Sequence, residues 1–170
     1  MVASASPCLS LANILTYPSE DYQRHVIECQ HVLGDVDAEA ARLMGQFAES
    51  INGLESWQLE ELFTRTFDIN PSCALEIGWH LYGESYERGN FLVRMRQEMT
   101  RLGIPDSGEL PDHLTNVLAV MDCLEPDEAK VVAEEFALPA LQKMLNSIEG
   151  KDYPYSDVLN AVNLVLKRLT

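Results

Sequence analysis

Three carboxylates fall within seven residues of this chain, at Asp106, Glu109 and Asp112, and His113 follows directly. Paired carboxylates beside an imidazole are the raw material of acid–base catalysis. The same residues ahead of an apolar helical run can cap that helix, which is their commoner use. His25, His31 and His80 are scattered, as are Cys8, Cys29, Cys73 and Cys123. No cysteines form a C-x-x-C pair, so the spacing fits neither a zinc site nor a disulfide framework. His80 and His113 could meet near Cys73 or Cys123, but nothing in the spacing requires it. Phosphate-binding loops, dinucleotide fingerprints, nucleophile elbows and H-E-x-x-H are all absent from the sequence. Asp35-x-Asp37 lacks the glycine and terminal glutamate of a calcium loop. The expectation is a protein without catalytic residues, metal or cofactor.

Charge narrows the partners. Asp and Glu number 27 against 12 Lys and Arg, a net −15 at neutral pH. A field of that sign repels nucleic acid and the anionic membrane surface, and it speeds encounter with basic partners. Nine acidic residues lie between Asp106 and Glu135, against the single Lys130. They alternate with apolar residues, as an acidic rim around an apolar groove would. Such a groove suits a peptide that is basic at one end and apolar at the other. The first residues carry neither a basic region nor an apolar core, so no signal peptide is expected. No apolar run reaches the roughly 20 residues of a membrane span. With cysteines that read as free thiols, a cytoplasmic location is expected.

The elements that must position these residues read as helices throughout. Apolar residues recur at helical spacing, and strand-like alternation is missing. Helices are expected over 8–15, from a Ser19 cap to Leu33, from Asp37 to Ile51, and from Ser56 to the break at Asn70-Pro71. The 73–83 stretch is apolar almost all round and reads as a central helix. A long helix follows over 85–102. Pro111-Asp112 opens another, Pro126 starts a helix reaching Ile148 that Pro139 should kink or divide, and 156–169 closes the chain. The fold class expected is all-α: one irregular bundle of seven to nine helices in a single domain over 1–170. Gly103 to Pro111 reads as a hinge loop between an N-terminal part, 8–102, and a C-terminal part, 112–169.

Two segments carry a family resemblance. One is H-L-Y-G-E-S-Y-E-R-G-N-F-L over 80–92; the other is E-L-P-D-H-L over 109–114. With Tyr17-Pro18 and Thr66-Phe67-Asp68 in the same order, they resemble the assembly chaperones of molybdenum-containing oxidoreductases, among them the nitrate reductase delta subunit. Glu84 stands where that family often has Asp, and a second basic residue before Arg88-Gly89 is missing. The resemblance implies an all-helical, non-enzymatic cytoplasmic protein. It implies binding to the N-terminal region of an apo catalytic subunit, often a twin-arginine signal peptide, until the molybdenum cofactor is inserted.

By the same resemblance, the client-binding residues are expected to be Glu109, Leu110, Pro111, Asp112, His113 and Leu114. Glu109 and Asp112 would pair with client Arg or Lys, and His113 would hydrogen bond at the groove. The structural alternative has Asp112 capping its helix and His113 fastening the loop. Glu84, Arg88 and Gly89 come second, with Arg88 paired to Glu84 or to the acidic loop, and Trp79, His80 and Tyr82 could line the groove. The competing function is a permanent acidic helical subunit or adaptor of an oxidoreductase complex. A monomer or a domain-swapped dimer is compatible with the hinge.

Overall fold

Ser6 and Pro7 start the first helix. The Ser6 hydroxyl accepts from the Leu9 amide, and Pro7 sits in the first turn, where a missing N–H costs nothing. The structure, a computed structural model, describes residues 5–170; the signal-peptide reading of Met1 to Ser4 lies outside the described residues. The first helix, α1, spans Pro7–Ile14 and α2 spans Tyr22–Gly34. The latter begins three residues beyond the expected Ser19 cap, because Ser19 to Asp21 form a turn after Pro18. Helix α3, Ala38–Ile51, has Asp37 as its cap. The Asp37 carboxylate accepts from the Ala40 amide at 2.9 Å and from Arg168 Nε at 2.7 Å, which ties the end of the chain to the start of α3.

Helix α4, Ser56–Phe63, opens with a reciprocal Glu55–Gln58 capping box and runs on into a π turn, Thr64–Asp68. A π turn widens the helix and changes which way the residues after it face. Pro71 ends the segment, and a 3₁₀ turn, Pro71–Cys73, follows.

The central apolar helix expected over 73–83 is only α5, Ile77–Tyr82, in which Ile77 and Gly78 alone are buried. The reason is tertiary. Leu75 to Ile77 is pulled into an antiparallel bridge with 112–114. The Ile77 amide donates to the Asp112 carbonyl at 2.9 Å, and the Leu114 amide donates to the Leu75 carbonyl at 2.8 Å. Helix α6, Tyr86–Arg101, buries Phe91, Met95 and Met99. Helix α7, Leu114–Cys123, starts later than Pro111-Asp112 suggested, with His113 as its cap. Helices α8, Pro126–Val132, and α9, Leu138–Ile148, are continuous through a second π turn, Ala133–Ala137. That turn lies just ahead of Pro139, whose ring and missing N–H a regular helix would not tolerate. Helix α10, Tyr155–Lys167, completes the fold.

Among the described residues these make nine separate helical rods and one isolated bridge, the all-α bundle expected. Helix α10 packs on α3 and α9, and α1 packs on α7. One hydrophobic core therefore takes residues from both sides of the 103–111 loop. Its centre is aromatic: Tyr22, Phe47, Phe63, Phe67 and Tyr155 meet edge to face or tilted. The Tyr22 hydroxyl donates to the Ile14 carbonyl at 2.6 Å and lies 2.8 Å from the Tyr155 hydroxyl, so both buried phenols have polar partners.

Candidate functional site

The Glu109–Leu114 segment is held in place by backbone pairing and by capping. The bridge to Leu75–Ile77 sets its path. His113 sits at the N-cap of α7, where Nδ1 accepts from the Thr115 amide at 3.3 Å and lies 2.7 Å from Thr115 Oγ1. Asn116 donates to the Leu110 carbonyl at 2.9 Å. With its ends pinned, the segment turns its side chains in three directions.

Glu109 and His113 face a cleft of about 380 Å³. Tyr17, Phe63 and Phe67 contribute its aromatic wall, and Asp68 and Glu76 add carboxylates. His113 Nε2 lies 3.9 Å from Glu109 Oε2. Burial pushes the His113 imidazole below its ordinary value, while Glu109, Glu76, Asp112 and Asp68 pull the other way. Burial is the larger effect, so the ring is neutral at neutral pH. Asp68 is pushed up, first by desolvation and then by the Glu76 charge. The cleft is short of positive charge and has room for some.

Leu110 and Pro111 face the other way, into an apolar groove of about 640 Å³ shared with Leu92, Val93, Arg96 and Thr100 of α6. Leu110 is 47% exposed. One short segment therefore links an acidic cleft to an apolar groove. A third hollow, of about 330 Å³ between α6 and α8, is apolar, and none of the motif residues from 109 to 114 lines it.

Asp112 and Leu114 point inward, and both are fully buried. This corrects the pairing expected between Asp112 and a client cation. Asp112 Oδ2 accepts from Arg88 Nε at 3.2 Å, while Oδ1 is buried without a hydrogen-bond partner. Asp112 is not the helix cap either; His113 has that place. Arg88 pairs with the acidic loop and not with Glu84, which is exposed. Gly89 has open space around its Cα, so no close helix approach explains it. Gly78 does have such an approach: a Cβ there would stand 2.6 Å from Asp112 Oδ2 and 3.0 Å from Phe91 Cδ1.

Trp79, His80 and Tyr82 are half-buried on α5 and lie away from the acidic cleft. Trp79 Nε1 donates to the Pro71 carbonyl at 3.2 Å, His80 Nε2 to the Ala74 carbonyl at 2.6 Å, and the Tyr82 ring packs 5.8 Å from Phe91. The polar atoms of Trp79 and His80 brace α5 against the 71–74 turn. Glu76 had no sequence signal at all. It enters the cleft because the bridge pairs it with His113, 37 positions along the chain. Tyr17, Phe67 and Asp68 were visible only as fragments of weak motifs, and the fold brings all three to one wall.

The sequence pattern of the family described as nitrate reductase delta subunit matches residues 33–159. The nitrate reductase-like protein NarX of Mycobacterium tuberculosis is 23% identical over 150 residues, which cover 88% of this chain and 22% of that protein. The nitrate reductase molybdenum cofactor assembly chaperone NarJ of Escherichia coli K12 is also 23% identical over 150 residues, covering 86% of this chain and 63% of NarJ. The chain thus spans about a fifth of NarX and somewhat under two thirds of NarJ. The matched region runs from α3 to the first turn of α10, and with it the bridge, the Glu109–Leu114 segment and the cleft apart from its Tyr17 edge: this chain belongs to the nitrate reductase delta subunit family.

Proposed function

We propose that this chain is a non-enzymatic cytoplasmic assembly chaperone for a molybdenum-containing, nitrate reductase-like oxidoreductase. It binds the N-terminal region of the apo catalytic subunit, a twin-arginine signal peptide or its equivalent, and holds the subunit for cofactor insertion. Family membership and the role of the relative NarJ, a nitrate reductase molybdenum cofactor assembly chaperone, support the class of function. The observation that carries the binding mode is the convergence of Tyr17, Phe67, Asp68, Glu109 and His113 on one acidic cleft with an aromatic wall.

A guanidinium or ammonium group entering that cleft meets Asp68, Glu76 and Glu109, with aromatic faces alongside. Apolar residues of the same client segment then cross Leu110 and lie in the groove formed with Leu92 and Val93. Basic at one end and apolar at the other is the chemistry this pair of surfaces accepts. The 103–111 loop carries Ser107 and Glu109 into the cleft and is the segment that adjusts on binding. Among the described residues no helix is long and apolar enough to cross a membrane.

Calorimetry with a synthetic peptide of the client's N-terminal region tests the reading. The double variant E76Q/E109Q keeps the helical circular dichroism and binds at least about tenfold more weakly, roughly 1.4 kcal/mol. Affinity of the parent falls with added salt, because the cleft charges are screened. Unchanged peptide affinity in the double variant would overturn the cleft as the binding site. Stable recovery of the chain with the mature enzyme would point instead to a permanent subunit.

A further inference from the structure

We propose that Glu76, Glu109 and His113 form a binding site for one divalent first-row transition cation of the zinc class. The proposal departs from the sequence expectation of no metal, and it concerns a different pairing from the His80–His113 one the sequence suggested. One ligand atom from each of the three residues lies within 4.8 Å of the others. The set is one imidazole and two carboxylates from two segments of the chain, Glu76 from one and Glu109 with His113 from the other. Imidazole with carboxylate is a donor set that zinc and its neighbours accept, whereas calcium and magnesium prefer oxygen alone.

His113 provides the observation beyond acidity. Its side chain is 8% exposed, and Nε2 faces the two glutamates with no hydrogen bond among the described residues. The other ring nitrogen is fixed against Thr115 Oγ1 at 2.7 Å. Metal-bound histidines are oriented in this way by a partner on the second nitrogen. Ligation through Nε2 places the ring proton on Nδ1, from which it donates to Thr115 Oγ1. The swap gives up only the 3.3 Å contact from the Thr115 amide.

The two carboxylates differ in freedom. Glu76 is half-buried and fixed by the bridge. Glu109 is 55% exposed on the 103–111 loop. Ligands about 2.0–2.2 Å from a tetrahedral ion stand about 3.3–3.6 Å from one another, so Glu109, 3.9 Å from His113 Nε2, closes inward by roughly half an ångström on binding. Three protein ligands leave the fourth position to water. The cation would relieve the mutual repulsion of Asp68, Glu76 and Glu109 around a buried neutral imidazole.

The proposal stands apart from the chaperone reading, since zinc is offered to the chain alone and no client is needed. The test uses the full chain with the exposed thiol removed by Cys123→Ser, stripped with a chelator and titrated with Zn²⁺ in a calorimeter. One equivalent binds, and proton uptake by His113 weakens it as the pH is lowered. His113→Asn keeps a capping side chain and weakens zinc binding by roughly tenfold or more, as do Glu76→Gln and Glu109→Gln. Glu49→Gln, at an exposed acid of α3 outside the cleft, leaves it unchanged. Nitrogen-15 NMR shows the His113 Nε2 resonance moving when zinc is added. Absence of saturable one-to-one binding overturns the proposal. So does a His113→Asn or Glu76→Gln variant that binds zinc as tightly as its parent. A parent chain that binds zinc but fails to capture the client peptide would instead remove the chaperone reading and leave the metal site standing.

Discussion

Gly78 has no room for a side chain. Its Cα faces the Asp112 carboxylate and the Phe91 ring at distances where a methyl group cannot sit. G78A therefore pushes the Arg88–Asp112 pair or α6 aside, and urea unfolding should show a loss of about 1–3 kcal/mol. Removing the carboxylate also costs stability. D112A leaves Arg88 without its ion-pair partner, but Arg88 is 20% exposed and can reach water. The expected loss is about 2–3 kcal/mol in the same assay, toward the lower end for a buried pair. Residue-scale burial also sets thiol reactivity. Burial pushes the Cys8 thiol up to about 11 and those of Cys29 and Cys73 up to about 12. Cys123 is exposed. A thiol reagent at neutral pH should label one cysteine quickly and the other three only after denaturation.

At the scale of elements, His113 does two things that variants can separate. Its Nδ1 caps α7, and its Nε2 faces the cleft. H113A removes the cap acceptor and should lower stability by about 1 kcal/mol, whereas H113N supplies another acceptor and should recover most of it. A thermal melt of the two variants checks this, and any peptide-binding loss shared by both belongs to the cleft. The elements themselves were largely legible in sequence. Ser85 before α6, Asp37 before α3 and Pro126 in the first turn of α8 all stand where the helices begin. What misled was 73–83. Its apolar composition reads as a central helix, but periodicity carries no sign that Leu75 to Ile77 would pair with a loop far along the chain. The late start of α7 has the same cause, since Pro111 and Asp112 form a turn and the bridge takes His113, so that Leu114 is the first helical residue.

The whole molecule combines a strongly acidic surface with a buried aromatic centre, one buried imidazole and one half-buried one. Burial pushes both His80 and His113 below the ordinary value of 6.5. An imidazole depressed in this way takes up a proton more readily in the unfolded chain. Its contribution to stability is complete above 6.5 and is lost as the pH falls below that value. Urea unfolding at about pH 7.5 and at about pH 5 should show the native state weakening toward acid. H80Q combined with H113N should flatten that slope; an unchanged slope would mean other groups carry it.

The sequence by itself determined the helical class, most helix starts, the acidic character and the family resemblance. Those depend on composition, on periodicity and on residues within a turn of one another, all of which can be read along the chain. Only the tertiary structure decided that Asp112 lies inside and pairs with Arg88, that Glu76 stands beside His113, and that Tyr17, Phe67 and Asp68 share a wall with Glu109. These juxtapositions join positions tens of residues apart. They are set by a two-bond bridge, a π turn and the packing of one shared core, and none of the three has a local signature that fixes its partner.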